Sequence, residues 1–321
     1  MRYSVPIFIM ISGSVLMYAE LQRGSMSYFA FQRKRLGKIV LPYILWTAFY
    51  VYFGARTVWR EEGFVGFQRI SHTLPSHFQN GDGWYHLYFL LIIVQLYLLY
   101  PILRGGLKRW PISVLSLTFA LTVADQVSFY LGRGVWRYDF FPNWIFFFAF
   151  GMFFALNRVR LEGLLSAYKN WIGVSWILSL ALLIADGRLT HSSYTSIKPT
   201  VVLYALTSFL FFYVMARSLS PRLGRYGRLV DWVSTQSFFV YLAHPFVLNL
   251  LDIIAKKVHN DSLWDGTTGM IAKYGLTVGI TLVGTMVVAR IPFTSLIGTV
   301  RSKRKGDRQL PQAQIPVSHV R

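Results

Sequence analysis

Hydrophobic residues run along this chain in blocks rather than in alternation. Nine segments, 3–21, 38–54, 85–104, 111–131, 142–157, 170–186, 199–217, 232–253 and 270–291, are mostly apolar around their circumference, whereas a helix on a soluble protein keeps one polar face. Runs of about 17 to 25 such residues cross a hydrocarbon core about 30 Å thick as helices. The pattern predicts an all-α fold, a polytopic transmembrane helix bundle of nine spans. The membrane-embedded domain is expected over 1–300, and a basic, disordered tail over 301–321. Short loops at 104–110, 132–141 and 187–198 make consecutive spans antiparallel neighbours. Gly275 and Gly279, four apart in the last span, are expected to admit another helix closely. The longest loop, 55–84, mixes Trp59, Phe64, Phe67 and Ile70 with Arg56, Arg60 and Glu62, as an amphipathic helix lying on the outer membrane surface does. It ends in the turn-forming run Asn80-Gly-Asp-Gly83.

Composition agrees with the pattern: 54% hydrophobic and 17% aromatic residues against 14% charged exclude an ordinary water-soluble domain. The formal net charge of +20 does not point to nucleic acid, because the cations sit in short loops and the tail instead of along one face. They set the orientation instead. With loop 22–37 inside, 22 of the 33 Lys and Arg residues fall on the cytoplasmic side, so the positive-inside rule places the N-terminus outside and the C-terminus in the cytoplasm. The expected location is the cell membrane, with the tail near anionic lipid headgroups. The absence of cysteine removes disulfides, thiolate nucleophiles and cysteine-based metal sites, and no metal is expected. The first apolar run reads as a span rather than a cleavable signal peptide.

Polar side chains inside spans are expensive in hydrocarbon and therefore candidates for function. Arg2 opens the first span, His86 opens the third within Trp84-Tyr-His-Leu-Tyr-Phe-Leu90, Gln95 follows, Asp125 lies in the fourth, and His244 precedes Pro245 in the eighth. At about 1.5 Å of rise per residue, His244 and Asp125 fall in the outer half of their helices, so Arg2, His86, Asp125 and His244 are expected to converge there. Each has a plainer account. An aromatic belt explains His86 equally, and Asp125 suits a hydrogen-bonded packing role. Pro245 cannot donate to the carbonyl of Tyr241, which leaves an acceptor beside His244 where a helix ladder is broken. On the opposite side Arg33, Lys34 and Arg35, with Arg104, Lys108 and Arg109, surround the cytoplasmic mouth. Topology alone accounts for them, and they also suit the phosphates of an anionic donor.

Four stretches in order carry a resemblance. They are Arg2-Tyr-Ser-Val-Pro-Ile-Phe8 with Ser12-Gly13; Arg33 to Arg35 with Pro42-Tyr43 and Trp46; His86-Leu-Tyr-Phe-Leu90 to Tyr100-Pro101; and Ser237-Phe-Phe-Val-Tyr-Leu-Ala-His244-Pro-Phe246. Together they resemble the integral-membrane acyltransferase family 3 of O-acyltransferases, in its branch similar to polysaccharide intercellular-adhesin acetyltransferases. The resemblance implies transfer of an acyl group, usually acetyl, from cytosolic acyl-CoA to a hydroxyl of an extracytoplasmic glycan or lipid-linked sugar. It places Arg2, His86 and His244 among the catalytic candidates and Arg33, Lys34 and Arg35 at the donor, acetyl-CoA in the usual case. Such families have about ten spans, the first carrying an arginine and a histidine central to catalysis, and this chain begins at what resembles the second. The expectation is that residues 1–321 alone transfer little and that about 25 to 40 upstream residues, one further span, restore transfer. A transporter or flippase for a glycan intermediate is the competing reading, and a non-catalytic membrane scaffold the third. Acyl group, acceptor sugar and oligomeric state are left open.

Overall fold

A computed structural model describes residues 4–24, 27–133, 137–190, 198–260, 262–290 and 294–298. Among them every regular element is helical. The α-helices are α1 (Ser4–Arg23), α2 (Tyr28–Gly54), α3 (Arg56–Asn80), α4 (Tyr88–Arg109), α5 (Pro111–Tyr130), α6 (Ile145–Leu156), α7 (Arg158–Ala167), α8 (Lys169–Leu189), α9 (Pro199–Leu219), α10 (Gly227–Lys257) and α11 (Gly266–Val288). Eight are long and apolar enough to cross a membrane: α1, α2, α4, α5, α8, α9, α10 and α11. The chain divides into one compact unit up to Gly227 and a second from Arg228.

Contacts within the first unit give each helix a direction. Ser12 meets Tyr97 at 2.9 Å and Glu20 meets Arg104 at 3.3 Å, so α1 and α4 run parallel. Phe31 stacks on Tyr100 while Tyr50 stacks on Trp84, so α2 runs against α4. Phe119 packs on Phe146, and Gln126 reaches the carbonyl of Asn143, so α6 runs against α5. Phe150 with Phe209 and Phe154 with Tyr213 make α6 and α9 parallel. Trp176 over Phe211, with Asp186 beside Thr200, sets α8 against α9. Directions therefore alternate through α1, α2, α4, α5, α6, α8 and α9.

Of the nine expected spans, 142–157 is the one not among the eight membrane-length helices, because its helix is too short. Its helix has 12 residues, a rise of only about 18 Å, because Phe141–Asn143 forms a 3-10 turn ahead of it. So short an apolar helix is covered by protein rather than by lipid. None of its residues is exposed, and Trp144, Phe147 and Phe148 are among the fully buried large side chains of the core. Close approach comes from glycines other than those expected. A side chain at Gly13 would strike the carbonyl of Phe148, and one at Gly151 the carbonyl of Met10, so these two glycines bring α1 and α6 into backbone contact. Around Gly275 and Gly279 a Cβ would meet nothing within 4 Å.

Loop 55–84 is mostly helix, but α3 folds back along α2 as a packed element. Tyr52 bonds Ser71 at 2.7 Å and Tyr43 donates to the carbonyl of Phe78 at 2.6 Å. Gly63, with φ 59°, breaks its first turns, a left-handed conformation that glycine adopts cheaply. Gly81 caps its end with φ 66°.

In the second unit Lys273 of α11 bonds Asp252 of α10 at 2.6 Å, and Thr277, Thr281 and Thr285 form a buried row at four-residue spacing. Helix α10 exceeds its expected 232–253 at both ends, because polar ends such as Arg228 and Lys256 are free to continue a helix beyond hydrocarbon. The expected tail, 301–321, lies outside the described residues.

Candidate functional site

Two cavities open at opposite ends of the first unit. The first, about 290 Å³, lies where α1 ends, α2 begins and α4 runs out, and its lining includes Glu20, Arg23, Lys34, Arg35, Tyr100 and Arg104. Glu20 is its only carboxylate. It accepts from Tyr100 Oη at 2.8 Å, from Arg104 Nη1 at 3.3 Å and from Lys108 Nζ at 3.2 Å. Arg23, Lys34 and Arg35 make no ion pair among the described residues, so the cavity keeps excess positive charge. Of the expected donor set, Lys34 and Arg35 line this cavity and Arg33 is exposed beside it. Arg104 joins them from α4, while Arg109 lies over Trp110 instead.

The second cavity, about 360 Å³, lies between the end of α2, helix α3 and the turn leading into α4, with Tyr50, Arg69, Thr73, His77, Gly83 and Trp84 in its lining. From Lys34 to Gly54 along α2 is about 30 Å, so the two cavities stand one hydrocarbon thickness apart. Tyr50 and Trp84 stack with ring centroids 5.1 Å apart. On the polar side His77 Nδ1 lies 2.7 Å from Asp82 Oδ1. An ionised carboxylate only accepts, so this bond puts the neutral ring's proton on Nδ1 and leaves Nε2 as the acceptor.

Each expected catalytic residue has its own surroundings. Arg2 lies outside the described residues. His86 is at the end expected of it, but it is only 6% exposed, edge-on to Tyr50 with centroids 5.2 Å apart, behind the second cavity's wall. Gln95 is a strap: it donates to the carbonyl of Asp139 at 2.9 Å and accepts from the amide of Phe141 at 3.0 Å. Arg137 extends the strap, clasping Asp139 and Asn80, and the bonds to Asp139 hold its guanidinium pKa above the ordinary value. Asp125 is buried in α5, with Oδ2 lacking a hydrogen-bond partner among the described residues. In the second unit, His244 donates from Nδ1 to the carbonyl of Tyr241 at 2.7 Å. That is the acceptor Pro245 leaves without its helical donor, so the imidazole closes the ladder at the break.

His77 escaped the sequence reading because it sits in a polar stretch, where hydropathy marks no anomaly. One signal was present: Arg69, Thr73 and His77 recur every fourth residue, the spacing of one helix face.

Comparison with known proteins adds the family. Residues 1–290 match the family described as an acyltransferase domain. The chain is 22% identical over 296 residues to the Staphylococcus aureus protein named "Probable poly-beta-1,6-N-acetyl-D-glucosamine export protein", covering 88% of this chain and 79% of that one. It is 25% identical over 261 residues to the Bacillus subtilis protein named "Putative membrane-bound acyltransferase YfiQ", covering 77% and 68%. No solved structure matches. With its multi-pass helical fold, the chain belongs to the acyltransferase 3 family of membrane proteins.

Proposed function

We propose that this protein is a membrane O-acyltransferase that moves an acyl group, acetyl in the simplest case, from cytosolic acyl-CoA to a hydroxyl of an extracytoplasmic glycan. The observation that carries this reading is the pair of chemically opposite cavities about 30 Å apart on α2. Lys34, Arg35 and Arg104, with Arg33 at the rim, suit the donor's phosphates, and the basic loops orient that end to the cytoplasm. In the reaction the acceptor oxygen bonds to the thioester carbonyl carbon and the C–S bond breaks. The hydroxyl proton passes through a base to the departing thiolate. Arg2, His86 and His244 are proposed for the proton and charge handling, His86 and His244 in addition to the packing and capping contacts described above.

The test is made in native cells, with the native gene product. Disrupting the gene should remove O-acyl groups from a surface glycan, and membranes from intact cells should incorporate label from radiolabelled acetyl-CoA into glycan only when the gene is present. Unchanged O-acylation and unchanged labelling would overturn the reading. The name of the Staphylococcus relatives favours a second one, glycan export. Gene loss would then trap glycan inside without changing its acyl content.

A further inference from the structure

Helix α3 sets a polar row along the open rim of the second cavity. Arg69, Thr73 and His77 all line the second cavity, and their four-residue spacing sets them along one face of the helix. Opposite them are Tyr50, Val51, Gly54 and Trp84. A cavity with an aromatic wall and a few convergent hydrogen-bonding groups is the usual form of a small-ligand site. The groups also define the ligand. Arg69 is the lining's only Lys or Arg, and Glu62 already holds it at 3.0 Å, so the cavity lacks the clustered positive charge a phosphate headgroup requires. Thr73 donates to the carbonyl of Ile70 at 2.7 Å, which leaves its oxygen as an acceptor. His77, turned by Asp82, offers Nε2 to a hydroxyl proton. Arg69 supplies N–H donors. Acceptors, donors and a flat apolar wall within one space match an uncharged polyhydroxyl ring with polar edges and an apolar face.

We infer that this cavity binds one or two sugar residues of the acceptor glycan, with His77 and Arg69 bonding its hydroxyls and Tyr50 and Trp84 walling its apolar face. The inference rests on the acyl-transfer reading only for the identity of the glycan. Gly83 sets the space available, because a Cβ there would lie 2.7 Å from Thr47 Cγ2 and press the turn away from α2.

The test uses the purified full chain in lipid nanodiscs without acyl donor, and a β-1,6-linked N-acetylglucosamine hexasaccharide as probe, read by saturation-transfer NMR and titration. Wild type should bind. His77→Gln and Arg69→Gln should each weaken binding about tenfold, the effect of losing one good hydrogen bond. Both side chains are partly solvent-exposed, so the variants should fold, and thermal unfolding checks this. Asp82→Ala should weaken binding severalfold with thermal unfolding unchanged, because the ring loses the partner that turns Nε2 toward the ligand; a bystander His77 would leave the affinity unmoved. No hexasaccharide binding by wild type, equal binding by the double variant, or displacement of the probe by phosphatidylglycerol vesicles would overturn the subsite. Loss of O-acylation on gene disruption together with unaltered hexasaccharide affinity in the double variant sinks the subsite and spares the transfer reading. Nanodisc binding that depends on His77 and Arg69, together with glycan acylation that survives gene disruption, does the reverse.

Discussion

The two ends of the first unit share α2 and differ in how they treat charge. At the α1 terminus one carboxylate faces a surplus of cations, and Glu20 holds Arg104 and Lys108 in place while Arg23, Lys34 and Arg35 stay available. At the other end polar groups are paired locally: Arg69 with Glu62 and Arg137 with Asp139 as ion pairs, and His77 hydrogen-bonded to Asp82. A surplus attracts anions over a Debye length. Paired groups aim hydrogen bonds and attract little from a distance, so under the proposed function the first end would select by charge and the second by shape and hydrogen-bond pattern.

The harshest test of this contrast removes what the ends share. Gly151→Leu forces a side chain into the Met10 carbonyl, and overpacking a backbone contact costs about 1–3 kcal/mol or more. Folded protein should fall to a small fraction and both binding activities should vanish together. Normal accumulation in the membrane would mean that α1 and α6 do not unite the two ends. Next in size, the triple variant Lys34→Ala, Arg35→Ala, Arg104→Ala should weaken CoA binding about a hundredfold through lost charge-assisted bonds, with hexasaccharide affinity retained. A parallel loss at both cavities in calorimetric titration would erase the distinction. Salt should act more gently and just as unequally. Raising ionic strength from about 0.05 to about 0.5 M shortens the Debye length severalfold, so CoA binding should drop about tenfold while glycan binding holds. Equal salt slopes would show that charge is not what separates them. The smallest effect on either affinity is expected from His244→Ala, which strips the donor from the Tyr241 carbonyl and should lower stability by about 1–3 kcal/mol with both affinities kept, while acyl transfer, in which the proposed function gives it a part, falls further than folded protein does. Loss of one affinity alone in that variant would make His244 part of that end.

The membrane spans were legible because lipid acts on every exposed side chain, and runs of apolar residues record that directly. Segment 142–157 was legible as an apolar helix but not in length, and so not as one of the spans, since Asn143 and Trp144 are both buried while the α-helix begins only at Ile145. Burial and helicity are separate properties, and hydropathy reports the first. The glycines were misjudged for a related reason. Four-residue spacing identifies a face, but which face meets a neighbour depends on tertiary packing, and here that packing chose Gly13 and Gly151. At the site, charge and topology already grouped Arg33 to Arg35 with Arg104 at one mouth, whereas Arg23 joins the cavity lining only through folding. His77 and Asp82 are five residues apart across the left-handed turn at Gly81, and no helical or strand period pairs residues at that distance through such a turn.

Helix α6 also implies an order of biosynthesis. A segment of 12 residues with no exposed side chain is too short to settle across a bilayer by partition alone. Its aromatic face is completed by Phe209 and Tyr213 of α9, which emerge from the ribosome after α7 and α8 have been made. During that interval α6 depends on α1 and α5, both already synthesised, for cover. A nascent chain released after α8 should therefore carry a partly uncovered aromatic stretch, the kind of surface that membrane quality control engages.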